Sequence, residues 1–435
     1  MKRIRAIAMI LSACVLASMG AGCTNNGSGT GSGAASAGDK ITLTYSDSWV
    51  DPSTEPTAAA VKLALADWAK ENPDITIEAD HTTSANSSYK TKIKTALAAG
   101  TQSDVFNMSF GSFTQPYVDA GKLMALDGYI STDTLKDMKK GVIDIGKYGG
   151  KIYGLPFNMN ANFIACNTEL FTKYNVEYPK TYTDLLEACK AFKAKGVTPI
   201  AMGDKELWQA QQFFEPIVLR ENGPQYSVDA CNKKQSFDND GIRKSAQVVL
   251  DFAKAGAFSN GMLGLTFVEG AAQFANGQAA MSVTGTWGIS SFEGDGVAVN
   301  GKVKLINFPE LTGGNGSTTA TQAGPYEHFS MSASTKHPKE AAKFLLFMSR
   351  EVSKYSFTSG AGLPVWNLDS GVKTDSKLLQ QAVDLTQNVT SYTSGWDFYL
   401  SSAAALKYQN LLSELITNRI SAEDFSKQLQ QANAG

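Results

Sequence analysis

Residues 40–49 read KITLTYSDSW, and residues 58–80 read AAAVKLALADWAKENPDITIEAD. In the first stretch Ile41, Leu43 and Tyr45 alternate with polar residues, the period-two pattern of a strand with one buried face. In the second, Val61, Leu65 and Trp68 fall on one helical face, and the helix stops at Asn72-Pro73 because proline disfavours helical geometry in the residue before it. Alternation then resumes in DITIEAD. The unit repeats downstream: YKTKIKTALAAGT (89–101) reads as a helix ending at Gly100, and DVFNMSF (104–110) as a third strand. Strand–helix–strand units of this kind join by right-handed crossovers, so the pattern predicts an α/β fold with a largely parallel sheet.

Two further blocks follow the same logic. In YPKTYTDLLEACKAFKAKG (178–196), Thr181 and Asp184 stand at capping-box spacing and Gly196 closes the helix. In FSMSASTKHPKEAAKFLLFMS (329–349), a strand and turn lead to a helix with Pro338 near its first position and a stripe of Ala341, Phe344, Leu345 and Met348. The tail is helical, with Ala405, Tyr408, Leu412 and Leu415 on one face and a second capping box at Ser421 and Asp424. The glycine-rich stretch TGGNGSTTATQAG (312–324) breaks the pattern and is expected to connect two halves of the molecule.

A chain of 435 residues implies two domains, and 43% hydrophobic with 18% charged residues suits a soluble globular protein. A formal charge of −2, with no basic run beyond the extreme N-terminus, argues against nucleic acid. MKRIR followed by AIAMILSACVLASMGAG reads as a secretory leader over residues 1–22. Cys23 follows, then TNNGSGTGSGAASAGD, a flexible tether through residue 39. A cysteine at this boundary resembles the lipidation site of a bacterial lipoprotein. Gly20 stands where such sites usually carry leucine. LSAC, ending at Cys14, fits by letters but leaves too short an apolar segment before it, so Cys23 is assigned the anchor. Secretion with a cut near Ala21 is the alternative. Cys166, Cys189 and Cys231 are odd in number, and Cys189 lies on the apolar stripe of its helix, so no structural disulfide is expected.

His81, His328 and His337 do not form a ligand-spaced metal cluster, and no phosphate loop or nucleophile elbow follows any strand. DNDG (238–241) reads as a helix start. No carboxylate pair stands out as a glycosidase couple. What does stand out is tryptophan. Trp49, Trp208, Trp287, Trp366 and Trp396 fall in or beside loops, whereas Trp68 belongs to a helical core face. SDSW, FNMNAN and SGWD set aromatic rings beside short amides and carboxylates. A flat ring takes the C–H face of a sugar, and the short polar groups take its hydroxyl rim.

In this order and spacing, several segments resemble the extracellular solute-binding proteins of bacterial carbohydrate ABC importers, the group that includes maltose-binding protein. They are YKTKIKTALAAGTQSDVF, GGKIYGLPFNMNANFIACNTELFTKYNVEYPKTYTDLLEAC, FVEGAAQFANGQAAMSVTGTWG and HPKEAAKFLLFMS…GLPVW. The likeness runs across essentially the whole chain after the leader. It implies a two-lobed, class II periplasmic-binding-protein-like fold, each lobe a mostly parallel sheet flanked by helices and joined by hinge segments. Lobe 1 is expected over 40–157 and 324–362, and lobe 2 over 158–323 and 363–435. Trp287 falls on the family's cleft-floor tryptophan, with Gly285 and Gly288 clearing space for its indole. Asn160 falls at a frequent polar contact, Trp208 at a second-lobe aromatic position and Trp396 at a late one. Asp47 and Trp49 occupy the first strand–helix loop, and Asn107 and Ser109 the end of the third strand. Asn158, Glu327, Trp366 and Asp397 complete the expected ligand set, while Asp104 is expected to support its loop.

The resemblance implies a receptor that closes on a carbohydrate, with an oligosaccharide favoured, and hands it to ABC permease subunits. It would be a monomer, held to the membrane by its lipid on the outer face of a Gram-positive cell, with no catalysis and no cofactor. Two alternatives stay open: the same scaffold binding a glycerol phosphate, polyamine or organic acid, and a secreted glycosidase.

Overall fold

The computed structural model describes residues 40–53, 55–83, 88–139 and 142–434; the leader, Cys14, Cys23 and the tether lie outside the described residues. The chain opens with β1 (Ile41–Asp47), α1 (Pro56–Glu71), β2 (Ile75–His81), α2 (Ser88–Ala99) and β3 (Val105–Ser109), then the short β4 (Leu155–Pro156). It passes at 157–159 into β5 (Asn160–Asn167) and builds a second body from α3 (Tyr182–Ala194), β6 (Thr198–Ala201), α4 (Gln209–Asn222), α5 (Asp240–Lys254), α6 (Phe267–Ala275), β7 (Ala279–Gly285), β8 (Val303–Ile306) and β9 (Ala320–Gly324). Pro325 and Tyr326 carry it back into β10 (Glu327–Met331) and α7 (Pro338–Thr358). A third passage leads to α8 (Lys377–Thr386), β11 (Ser391–Thr393), α9 (Ser402–Ile416) and α10 (Ala422–Ala434).

The first sheet runs β2-β1-β3-β10-β4 and the second β11-β9-β5-β7-β6, with β8 also paired to β5. In each, all strands but one run the same way, and the exception makes the sheet mixed. β1 is parallel to β2 and β3, but β10 is antiparallel to β3 and β4. In the second sheet β6–β7 and β9–β11 are parallel, while β5 is antiparallel to β7, β8 and β9. The reason is the crossing itself. β5 and β10 each enter their sheet from the junction and run away from it, against neighbours that run toward it.

Local chemistry fixes the elements as the sequence suggests. Trp68 is buried on α1 against Phe344 and Phe347 of α7. Thr181 and Asp184 form a capping box, Asn239 caps α5 within DNDG, and Ser421 accepts from the Asp424 backbone. Asp104 accepts from the backbone and hydroxyl of Thr44, tying β3 to β1. Cys166, Cys189 and Cys231 are free and buried, and burial pushes their thiols upward. Within 312–324 the last five residues are β9, so the connection between the sheets is Pro325-Tyr326 and not the glycine-rich stretch. That stretch is pinned to the second body by buried Arg220, whose guanidinium donates to the carbonyls of Phe308, Pro309, Ser317 and Ala320. Among the described residues no helix is long and apolar enough to cross a membrane.

Candidate functional site

The carboxyl ends of β1, β3 and β4 in one sheet, and of β6, β7 and β9 in the other, point at the junction, where open α/β sheets hold ligands. The residues just beyond these ends make the site. β7 is buried along its whole length and ends in Gly285. The Trp287 indole folds back over that glycine: a Cβ on Gly285 would lie 2.0 Å from its six-membered ring. A Cβ on Gly288 would meet the Thr284 hydroxyl at 2.5 Å and the Phe267 ring at 2.8 Å. The two glycines therefore let the indole lie flat on its own strand end.

Around Trp287 the rings form an arc. Trp208, at the start of α4, stands 6.0 Å from it at 66°, backed by Phe267 at 5.0 Å. On the other side is Tyr326 at 5.7 Å and 82°, and Phe398 lies 5.2 Å beyond. Trp208, Trp287, Tyr326 and Phe398 are all partly exposed. The Trp287 Nε1 and Tyr326 hydroxyl are buried without a partner, polar groups that a ligand oxygen can satisfy. Tyr326 and Phe398 were missed in the sequence. Their signal is an acid beside each ring, Tyr326-Glu327 and Asp397-Phe398, the same pairing that marks SDSW and SGWD.

The first sheet supplies the polar side. Glu327 and Ser109 are register partners at the junction end of β10 and β3. Asn107 donates to the Ser48 hydroxyl at 3.3 Å and to Glu327 at 3.4 Å, and its own Oδ1 is buried without a partner. Burial pushes the Glu327 carboxyl up to about 7, Asp47 adding to the rise and Lys90 opposing it. Asp397 is likewise raised by burial, against Lys90 and a hydrogen bond from Gln211. Trp49 is partly exposed, its ring edge-on to Phe157 at 5.2 Å.

Trp396 and Trp366 are corrected, and three more expected contacts, Asp47, Asn160 and Asn158, are buried. Trp396 is 0% exposed, wedged among Phe214, Phe237 and Tyr408 in the core of the second body. Trp366 is 2% exposed; its Nε1 donates to Ser349 and the Arg350 guanidinium covers its ring. Both are packing residues. Asp47 is fully buried and serves its loop, accepting from the Trp49 backbone at 3.0 Å and bonding His81 at 2.8 Å. Asn160 spends its Oδ1 on the Thr286 hydroxyl at 2.8 Å, fastening β5 beside Trp287. Asn158 is buried in the first crossing against Gly362.

Among the described residues no group of three or more His, Cys, Asp or Glu could hold a metal. Two cavities lie away from the arc. One of about 290 Å³ is lined by Cys231, Tyr399 and Asn433, and one of about 460 Å³ by Glu293, Ser359 and Asp375. Neither is lined by a residue expected to touch ligand.

The pattern of the bacterial extracellular solute-binding protein family matches residues 51–354. An uncharacterized ABC transporter extracellular-binding protein of Pyrococcus horikoshii is 27% identical over 66% of this chain, and the match spans 64% of that relative's length. The multiple sugar-binding protein of Streptococcus mutans is 26% identical over 78% of this chain and 77% of its own. A structure solved in work on xylan utilization by the thermophilic bacterium Caldanaerobius polysaccharolyticus superposes with a TM-score of 0.84 at 37% identity, covering 90% of this chain and 99% of that one.

Proposed function

Because the chain belongs to the bacterial extracellular solute-binding proteins, we propose that it is the capture receptor of a carbohydrate ABC importer, closing two lobes on an oligosaccharide. One observation carries the reading: the Trp208–Trp287–Tyr326–Phe398 arc meets Asn107, Ser109 and Glu327 at the junction of the sheets. Rings for sugar faces and short polar groups for hydroxyls then come from opposite sides of the junction. Closure is stabilised by whatever the ligand contacts in both halves at once. The multiple-sugar and xylan connections of the relatives favour a chain of several rings, and β-1,4-xylo-oligosaccharides are the first candidates.

We place the lobe boundaries at the three passages, with lobe 1 holding the first sheet. The receptor performs no chemistry, acts as a monomer, delivers its sugar to permease subunits, and is anchored through lipid on Cys23 on the outer face of a Gram-positive membrane. Cys23→Ser, expressed with its leader, releases the protein from the membrane fraction if the anchor is right and leaves its distribution unchanged if it is wrong.

A thermal-shift panel tests the ligand class with xylo-, chito-, malto- and galacto-oligosaccharides, glycerol 3-phosphate and spermidine. A ligand at 100 times its Kd adds about 2.7 kcal/mol of stability. Stabilisation by an oligosaccharide supports the reading. Stabilisation by glycerol 3-phosphate or spermidine alone replaces it, and turnover of a glycan makes the protein a glycosidase.

A further inference from the structure

The two bodies also touch directly, through backbone and a hydroxyl beside the aromatic arc. The turn after β3, Gly111–Phe113, lies against the turn after β11, Trp396–Phe398. Gly111 has φ +71°, and a Cβ there would lie 2.2 Å from the Phe398 carbonyl oxygen and 2.6 Å from its Cα. These are backbone atoms and cannot step aside. Beside this approach the Ser112 hydroxyl donates to the Asp397 carbonyl at 2.9 Å. Each turn is held from behind. The Tyr148 hydroxyl accepts from the Gly111 N–H at 2.8 Å, and Gln211 donates to the Asp397 carboxylate at 3.2 Å. The contact reaches the aromatic arc through Phe398, which packs on Tyr326, which in turn meets Trp287.

We propose that Gly111 and Ser112 form a latch that holds the lobes shut independently of the sugar and thereby sets its affinity and residence time. The inference rests on the capture reading above. A receptor whose competent, closed form is a fraction of the population binds weaker by that fraction, so a contact made in the closed form and not by the ligand raises affinity without touching it. Gly111 is then a positioning residue. Any side chain at 111 wedges the Phe398 backbone away and bars full closure.

Three variants test this, Gly111→Ala, Ser112→Ala and Ser112→Thr, by small-angle scattering of the unliganded chain and stopped-flow release of xylotriose. The latch predicts that unliganded Gly111→Ala is more expanded than the parent and releases xylotriose at least tenfold faster. Ser112→Ala should release it severalfold faster at an unaltered melting temperature, and Ser112→Thr, which keeps the hydroxyl, should restore the parent rate. The alanine at φ +71° is strained in itself, so the serine pair decides the matter if that variant folds poorly. Scattering and release indistinguishable from the parent in both alanine variants overturn the latch. If the parent binds no oligosaccharide of the panel, the capture reading has failed, and the scattering of the unliganded variants still supports or overturns the latch alone.

Discussion

Trp287 and Trp396 look alike in the sequence, each an indole beside glycine near a strand end, but the structure buries Trp396 and leaves Trp287 partly exposed, so we expect them to do different jobs. Replacing each with alanine separates those jobs. Trp396 is 0% exposed, with ring neighbours Phe237 at 4.8 Å, Tyr408 at 5.0 Å and Phe214 at 5.6 Å. Its removal leaves a cavity the size of an indole, and such deletions cost about 3–5 kcal/mol, a large share of the ~5–15 kcal/mol that holds a typical protein folded. Trp287 is partly exposed, lies over Gly285, and its buried Nε1 has no hydrogen bond to lose. Trp287→Ala therefore costs less stability but removes a stacking plate, weakening the sugar by ~1–3 kcal/mol, a factor of about 5–150 in Kd. Urea denaturation midpoints and titration calorimetry with the tightest sugar of the panel measure the two effects separately. Trp396→Ala should shift the midpoint strongly, and the fraction that stays folded should bind as the parent does. If Trp396→Ala keeps its midpoint and loses the sugar, or Trp287→Ala binds with parental affinity, the division of labour drawn here is wrong.

Glu327 carries a pH signature. Its carboxyl is raised by burial from 4.5 to about 7, so between those values the folded chain holds a proton that the unfolded chain has released, and stability falls as pH rises through that window. Glu327→Gln removes this slope, so the stability difference between variant and parent should grow from pH 4.5 to 7 and level off beyond; a difference flat in pH rejects the assignment. His81 has the same sense, from a stabilising contact and not a penalty. Its hydrogen bond with Asp47 raises it above 6.5, so the stabilisation is full at lower pH and is lost as pH climbs through the folded value. An NMR titration of His81 should show the raised midpoint in the parent and a return toward 6.5 in Asp47→Asn. Arg220→Met leaves four carbonyls without their donor, and limited proteolysis should then cut between 312 and 319 far faster than in the parent. Equal cleavage rates argue against the pin.

What the sequence disclosed was local. Capping pairs such as Thr181 with Asp184, helical stripes such as Ala341–Met348, and strand alternation in Ile41–Tyr45 are decided by neighbours within a few residues, and the structure keeps them. The direction of β5 and β10 is not local. It follows from where the chain crosses, and no spacing within either strand records that. The same limit governs the tryptophans. Trp366 is buried because Ser349 and Arg350 meet it, and Trp396 because Phe214 and Phe237 do, all distant in the chain. An indole in a turn reads identically whether it faces a cleft or its own core. Resemblance alone singled out Trp208 and Trp287 as candidates. Tyr326 had no such signal, because its place in the arc comes from lying in the two-residue passage between the sheets.

The late insertion of β10 bears on how the molecule assembles. Asn107 and Glu327 meet across a separation of 220 residues, and β10 is the strand on which both β3 and β4 lean. Until residue 331 has been made, β3 presents a bare, apolar rim and β4 has nothing to zip against. Such a rim is a template for sticking to other chains. Long-range closure of this kind is slow. Refolding from denaturant should therefore be concentration-sensitive, and fragments ending before Glu327 should clump where the whole chain stays clear.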